Sequence, residues 1–185
     1  SGKVVWKYAF DNSIKGTGTL WENKNTKHEE SKLVVLLGSR QSPKSEYNYR
    51  SISAISGEEL FRMKVERTRS NSRDVDGSAL TVGDTAYIGL ENGIFKAFNP
   101  DDDFAAVRGK FYEPKIYNEV NLFNKNDIAR IGGNIITESS PSFLDGKIYI
   151  TAGSGYVYAY NIKSGEIDWE YFIGADLDGS PVITE

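Results

Sequence analysis

The sequence predicts an all-β protein made of repeated sheets, each with four short antiparallel strands. Three observations indicate this class: short motifs recur along the chain, turn signals separate runs of alternating apolar and polar residues, and strand-forming residues are abundant. The 185 residues include 11 Tyr, 9 Phe, 3 Trp and 18 Gly but only one Met, a mixture that favours strands and tight turns over helices. This length corresponds to one domain or slightly more.

The composition excludes several classes of site. The chain contains no Cys, so disulfides, zinc–thiolate sites, iron–sulfur clusters and cysteine nucleophiles are ruled out. Its single histidine, His28, rules out a multi-His metal site and is expected in a polar surface loop. A formal net charge of −4 argues against a general binder of nucleic acids or anionic membranes. No apolar stretch reaches the roughly 18 residues that a membrane-spanning helix requires.

The first recurring motif is Ser-Gly, then three residues of mixed character, then a large aromatic residue. Its copies are Ser1–Tyr8, Ser56–Met63 and Ser164–Tyr171. The glycines lie 55 and 108 residues apart, so one copy between the second and the third is missing or degenerate. The aromatic residues are Trp6, Phe61 and Trp169. We expect them on the outermost strand of successive sheets, docked against the neighbouring sheet.

The second recurring motif predicts the first strand of each sheet. Its copies are Gly77–Val82, Ser139–Leu144 and Gly179–Thr184, with a weaker copy at Gly16–Trp21. A turn signal and an alternating run follow, as at Gly83-Asp84 and Asp145-Gly146. Asp-Gly between alternating runs is a strong hairpin signal, so the first and second strands of each sheet are expected to form a hairpin.

The third recurring motif is an alternating run that begins at glycine and ends at asparagine. It occurs at Gly93–Asn99 and Gly155–Asn161, and we align Arg50–Ile55 as the first copy. In this alignment a small residue, Ala54, Ala97 or Ala159, stands in the middle of each copy. We expect each of them where a bulky side chain of the next sheet needs room.

Together the motifs define units of four short strands, which is the pattern of a β-propeller blade. A single such sheet cannot bury both faces, so blades must stack face to face. The order of motifs, most complete from Ser140 to Trp169, resembles the PQQ-like (quinoprotein) β-propeller repeat. The resemblance covers most of the chain apart from about Arg108 to Thr137. The Gly-His and Trp-Asp pairs of WD40 blades and the Gly-Gly of kelch blades do not recur.

This resemblance implies a division of the chain into blades. We expect an outer strand at 3–10, blades at 16–67, 76–112 and 138–173, and the inner strand of a further blade at 179–185. An insertion runs from the second blade to residue 137. Rings of the family commonly hold seven or eight blades, so the resemblance implies an open arc, a fragment of a larger propeller.

The insertion supplies the candidate partner-binding residues. It brings aromatic side chains together with charged ones in a long connection, and binding residues concentrate on such loops. The candidates are Arg108, Phe111, Tyr112 and Tyr117. The alternative interpretation is that these aromatics form an atypical outer strand that packs on the adjacent blade.

The resemblance also raises the question of a cofactor. Enzymes of the family typically bind pyrroloquinoline quinone (PQQ) at the ring axis with calcium, a catalytic Asp and, often, a disulfide of adjacent cysteines. Without Cys and with only three fuller blades, we expect neither PQQ nor calcium. The acidic runs Asp101–Asp103 and Asp176–Asp178 are interpreted as solvated turns, because neither fits an EF-hand loop. We therefore name no catalytic, cofactor-binding or metal-ligating residue.

Two functions remain open. The first is a noncatalytic scaffold for protein or ligand binding, similar in repeat type to the β-propeller lipoprotein of the bacterial outer-membrane assembly machinery. Its partner would be another protein or the remaining blades of the parent propeller. The second is a segment of a PQQ-dependent sugar or alcohol dehydrogenase. In either case the resemblance implies a bacterial protein of the periplasm or cell surface.

Overall fold

The computed structural model describes residues 2–101 and 113–184. Their strands form three separate antiparallel sheets of four, each ordered as in the chain, which confirms the predicted all-β class and its four-stranded units. Blade 1 contains β1 (Thr19–Glu22), β2 (Leu33–Gly38), β3 (Tyr49–Ser53) and β4 (Glu59–Met63). Blade 2 contains β5 (Leu80–Val82), β6 (Thr85–Gly89), β7 (Ile94–Phe98) and β8 (Ile116–Asn121). Blade 3 contains β9 (Ser142–Leu144), β10 (Lys147–Ala152), β11 (Tyr156–Asn161) and β12 (Glu166–Phe172).

The blades stack through alternating side chains, as period-2 strands require. Ile88 and Phe98 of blade 2 are fully buried in one core with side chains of blade 1. Tyr87 and Phe95 belong to a second core, shared with blade 3. Neighbouring residues of the same strands thus face opposite blades, and blade 2 is covered on both sides.

The first strands of the three blades converge at one edge of the stack, called here the axial edge. Ser78 donates its hydroxyl to the carbonyl of Thr17 at 2.7 Å, and its backbone N–H donates to the hydroxyl of Ser140 at 2.9 Å. The N–H of Ser140 donates in turn to the hydroxyl of Ser180 at 2.9 Å. The repeated Ser and Thr at the start of each first strand therefore link one blade to the next.

The tight turn before β10 has the backbone that its sequence predicts. Asp145 and Gly146 have φ values of 48° and 76°, both in the left-handed region. Two-residue hairpin turns favour this conformation because it matches the twist of the flanking strands. Lys147 then pairs with Leu144 in the ladder of β9 and β10.

The same β-bulge interrupts the pairing of the third and fourth strands in every blade. It follows the pairs Ser51–Phe61, Ala97–Asn118 and Ala159–Trp169. Because this irregularity recurs at the same position, the three blades can be aligned on it residue by residue.

This alignment corrects the expected position of the small residue in blade 1. Ser51, and not Ala54, is equivalent to Ala97 and Ala159. Ala54 follows β3 and enters the turn toward β4. The hydroxyl of Ser53 accepts hydrogen bonds from the next backbone N–H groups, as the side chain of Asn161 does in blade 3. The expected alignment was therefore shifted by three residues.

The expected strands at the two ends of the chain are not formed. Residues 3–10 and 179–184 carry no strand pairing. A strand is defined by its hydrogen-bonded ladder, and no other described segment pairs with either of them. Each still contacts a blade: the indole Nε1–H of Trp6 donates to the carbonyl of Ala54 at 2.9 Å, and the carbonyl of Pro181 accepts from the hydroxyl of Ser142.

The insertion contains an outer strand, as the alternative interpretation of its aromatic residues expected for Tyr117, and a helix that the sequence did not indicate. The outer strand of blade 2 is β8, which begins at Ile116, so this blade extends beyond the expected boundary at residue 112. Helix α1 follows at Lys125–Ile131 and starts with a capping box between Asn124 and Asp127. No helix in the described part of the chain is long and apolar enough to cross a membrane.

Candidate functional site

The aromatic residues of the Ser-Gly motif occupy different surroundings. Phe61 of β4 is buried, and its ring meets that of Phe98 in blade 2 edge to face, with 6.2 Å between centroids. Trp6 covers the turn at Gly57, where a Cβ would lie 2.8 Å from the indole. Trp169 of β12 is 42% exposed and contacts Tyr149 of its own blade, with 5.9 Å between centroids. Trp6 and Phe61 thus lie against the blade that follows them, and Trp169 lies on the open face of blade 3.

In blade 2 the equivalent position belongs to Asn118. Its amide donates to the carbonyl of Gly165 in blade 3 and to the hydroxyl of Tyr160 at 3.2 Å. Gly165 has a φ of 75° and a Cβ there would lie 2.8 Å from the Asn118 amide, so the amide meets this turn as Trp6 meets the turn at Gly57. The seam between blades 2 and 3 thus has a polar contact at the position where the seam between blades 1 and 2 has a contact between rings. Sequence reasoning missed Asn118, because no Ser-Gly pair precedes it and the insertion separates it from the rest of its blade.

A groove of about 590 Å³ lies beside Asn118 between blades 2 and 3. Side chains that combine a ring or aliphatic part with a polar group line most of it; they include Thr85, Tyr87, Tyr117, Tyr160, Lys163 and Glu166. An amide is smaller than the ring that occupies this position in the other blades, so the seam between blades 2 and 3 is less completely filled here. We call this feature the seam groove.

Tyr117 is the sequence-predicted binding residue that the structure places in the seam groove. Its side chain is 48% exposed, and the ammonium of Lys115 lies 5.4 Å from the centre of its ring. Burial, and secondarily Tyr160, raises the pKa of the Tyr87 hydroxyl above its ordinary value. Arg108, Phe111 and Tyr112, the other predicted members of this set, lie outside the described residues.

Acidic side chains gather at the axial edge, at the end where blades 1 and 2 connect. Asp74 and Asp76 lie in the connection from β4 to β5, and Glu91 lies in the turn from β6 to β7. One carboxylate oxygen of each residue lies within 4.8 Å of the corresponding oxygens of the other two. We call these three residues the acidic cluster. The antiparallel topology brings them together, because the β4–β5 connection and the β6–β7 turn lie at the same end of the sheets.

The acidic cluster is only partly neutralised. Asp74 accepts from Arg40 Nε at 2.9 Å and from the backbone N–H of Gln41 at 2.8 Å. Asp76 Oδ2 pairs with Lys15 Nζ at 2.9 Å. Burial first, and then the charges of Asp76 and Asp74, raise the pKa of Glu91 to about 7, against an opposing hydrogen bond from Ser72.

Further acidic groups continue along the axial edge. Asp76, Glu138 and Asp178 each directly precede the small residue that opens a copy of the second recurring motif. Burial and the nearby Asp178 raise the pKa of Glu138, and burial and Asp176 raise that of Asp178. Asp176 also accepts from the amide of Asn134 at 2.8 Å. The run 176–178, interpreted from sequence as a solvated turn, therefore lies against the connection into blade 3.

Comparison with known proteins identifies the fold. No protein-family model matches the sequence, and no curated protein matches it. Solved structures do match. A quinohemoprotein alcohol dehydrogenase from Pseudomonas putida superposes on 90% of the chain with a TM-score of 0.62 and 13% identity. The chain has the β-propeller fold.

Two other solved structures give the same result. BamB from Moraxella catarrhalis matches 98% of the chain with a TM-score of 0.61 and 15% identity. Sqt1 from Saccharomyces cerevisiae matches 94% with a TM-score of 0.65 and 11% identity. The matched part is 44% of BamB, 42% of Sqt1 and 22% of the Pseudomonas dehydrogenase, so the chain spans less than half of each protein. The resemblance to the PQQ-like propeller repeat is thereby confirmed at the level of fold.

Proposed function

We propose that this propeller segment is a noncatalytic scaffold that binds an extended stretch of another protein in the seam groove. The observation that carries the proposal is Asn118 at a position where the other blades carry aromatic rings. Tyr117 offers exposed ring surface beside it, and the largely buried Tyr87 and Tyr160 form part of the groove lining. Such a combination of apolar faces and a few oriented polar groups is typical of binding grooves.

The groove favours a particular kind of ligand. A polypeptide segment with one aromatic or aliphatic side chain inserts that side chain beside Asn118, where the seam is less completely filled. Its backbone groups meet the hydroxyl groups and the charges of Lys163 and Glu166 at the rim. Aromatic anchors in pockets with polar rims supply most of the binding free energy in protein interfaces.

The alternative, a segment of a PQQ-dependent dehydrogenase, gains support from the structural similarity to two quinohemoprotein alcohol dehydrogenases. The charge of the axial edge opposes it, because PQQ carries three carboxylates. Asp76, Glu91 and Glu138 present like charges at this edge, and the pKa of each of the two glutamates is raised by burial and by acidic neighbours. The residues present therefore do not fit the quinone in the absence of a cation.

The resemblance to the PQQ-like repeat also bears on the location of the protein in the cell. On this basis we propose a bacterial protein of the periplasm or cell surface.

The test uses peptides selected on the chain from a library of random 12-residue sequences. Asn118→Trp places a ring in the seam, as in blade 3, and is expected to lower the affinity of the selected peptides at least about tenfold in fluorescence titrations. Asn126→Trp on the exposed side of α1 is the matched control and is expected to leave the affinity unchanged.

Two outcomes would overturn the proposal. One is a selection that yields no peptide sensitive to Asn118→Trp. The other is stoichiometric uptake of PQQ by the chain in equilibrium dialysis, which would favour the dehydrogenase alternative. A far-UV circular dichroism spectrum of each variant shows whether the blades are intact.

A further inference from the structure

The acidic cluster contains buried carboxylate oxygens that lack partners. Glu91 is 3% exposed, and its Oε1 has no hydrogen-bond partner among the described residues. Oδ1 of Asp76 is buried and unpartnered in the same way. A buried anionic oxygen without a partner is strongly unfavourable relative to the same group in water, so such groups are normally paired, protonated or bound to a cation. Two of them in one cluster point to a missing positive charge.

The cations of the chain do not supply that charge. Lys15 and Arg40 reach the other oxygens of the cluster, Oδ2 of Asp76 and Oδ2 of Asp74. Both side chains are about half exposed, at 46% and 51%, and approach from the solvent side. No ion pair in the described part of the chain includes Glu91. When Glu91 is ionised, the three carboxylates leave one uncompensated negative charge even with both pairs formed.

The backbone holds the ligand side chains in place. The N–H of Asp74 donates to the hydroxyl of Ser72 at 3.1 Å, and the N–H of Val75 donates to the carbonyl of Ser39 at 3.1 Å. The N–H of Glu91 donates to the carbonyl of Asp74 at 3.4 Å, which joins the connection between blades to the turn of blade 2. Gly38 lies so close to Val75 that any Cβ would clash with it. The three carboxylates therefore belong to a preformed arrangement.

We infer that Asp74, Asp76 and Glu91 form a binding site for a hard divalent cation, specifically Ca²⁺, at the seam between blades 1 and 2. Carboxylate oxygens without nitrogen or sulfur ligands select hard cations. Ca²⁺–oxygen distances of about 2.3 to 2.6 Å allow two ligands of one ion to lie up to about 5 Å apart, which accommodates oxygens within 4.8 Å of one another. Water molecules would complete the coordination shell of Ca²⁺, which has roughly six to eight oxygen ligands.

The sequence did not indicate this site: neither calcium nor any metal ligand was expected from it. Asp74 and Asp76 are separated from Glu91 along the chain and match no metal-binding motif. They meet because the connection between two blades and a hairpin turn of the second blade lie at the same end of the stack. The acidic run 176–178, also noted in the sequence, is not part of the cluster, and the run 101–103 lies mostly outside the described residues.

The test is calorimetric titration of CaCl₂ into the chain after removal of metals with EDTA. The expected result is saturable binding of one Ca²⁺ per chain, accompanied by a rise in melting temperature. Glu91→Gln keeps the shape of the side chain and removes its charge, and is expected to lower the Ca²⁺ affinity at least about tenfold. Asp76→Asn is expected to act in the same direction.

Glu170→Gln on the exposed face of β12 is the matched control and is expected to bind Ca²⁺ as the unmodified chain does. Equal Ca²⁺ affinity of the chain and its Glu91→Gln variant would overturn the inference, as would the absence of saturable binding. Loss of binding in Asp178→Asn with retention in Glu91→Gln would place the ion elsewhere on the axial edge. MgCl₂ in place of CaCl₂ is expected to bind more weakly; tighter Mg²⁺ binding would overturn the choice of ion.

Discussion

Glu138 shows how single residues determine the charge balance of the axial edge. It is half-buried in the connection into blade 3, and burial is the main reason that its pKa is raised above 4.5. The charges of Asp178, Asp76 and Asp176 raise the pKa further, and Lys15 opposes them. The folded state therefore holds the proton on Glu138 at pH values where the unfolded chain has released it.

This difference predicts a specific pH dependence. Below about pH 4.5 the carboxyl is protonated in both states, whereas at higher pH only the unfolded state ionises without cost. The Glu138 contribution to the free energy of unfolding is therefore lost as pH rises through the folded-state pKa. Glu138→Gln cannot ionise and is expected to be more stable than the unmodified chain at pH 7, with a smaller difference at pH 4.5.

Urea denaturation in EDTA at the two pH values measures both free energies of unfolding. The variant Glu170→Gln, far from the axial edge, provides the control for loss of an acidic group. A stability gain in Glu138→Gln that is the same at both pH values would contradict the explanation by ionisation.

Asn118 marks the limit of sequence reasoning at the scale of residues. Phe61 and Trp169 could be aligned because the same Ser-Gly turn precedes both. Asn118 follows an insertion without that turn, so its role is visible only from its pairing with Ala97 in the sheet. Tyr117, by contrast, was identified from sequence as a candidate binding residue, because aromatic and charged residues occur together around it.

At the scale of elements, the β-bulge is the feature that the blades share most closely. A bulge redirects the strand and increases its twist, so side chains beyond it face differently from those before it. Ser51 lies directly before the bulge of blade 1 and is fully buried, and its hydroxyl has no hydrogen-bond partner among the described residues. Ala97 and Ala159 occupy the equivalent position in the other blades.

Ser51→Ala is therefore expected to stabilise the chain or leave its stability unchanged. The substitution removes a buried hydroxyl that gains no hydrogen bond, a change worth up to about 1 to 3 kcal/mol. Ser51→Leu, which adds bulk between two packed sheets, is expected to destabilise the chain by about 1 to 3 kcal/mol. Thermal and urea unfolding measure both effects. A marked loss of stability in Ser51→Ala would show that the hydroxyl makes a bond.

Strand order and hairpin turns follow from local signals in the sequence, whereas the register of blade 1 and the ends of the arc do not. The turn at Asp145-Gly146 has a backbone preference of its own. Residues 3–10 and 179–184 have strand-like sequences, but a strand forms only where a neighbouring strand supplies hydrogen bonds. The capping box of α1 spans four residues within a connection whose aromatic residues suggested a loop or a strand instead.

At the scale of the whole molecule, stability arises at the seams between blades. Two buried cores lie between successive sheets, one on each side of blade 2. The outer face of blade 3 has no such cover among the described residues, and Trp169, Tyr171 and Phe172 are 42%, 66% and 46% exposed. A solenoid or propeller is stabilised by the interfaces between neighbouring units. Equivalent residues of different blades therefore contribute more to the free energy of unfolding where another blade covers them than where none does.

Phe61 and Trp169 provide a direct comparison of a closed and an open seam. Phe61→Ala removes a ring that is 2% exposed and packed on Phe98, and is expected to cost about 3 to 5 kcal/mol. Trp169→Ala removes a larger ring at the equivalent position, but that ring is 42% exposed, so the cost is expected to be at most about half as large. Urea unfolding of the two variants measures the difference. Equal losses would mean that stability does not depend on stacking between blades, because the two positions differ chiefly in whether a following blade covers them.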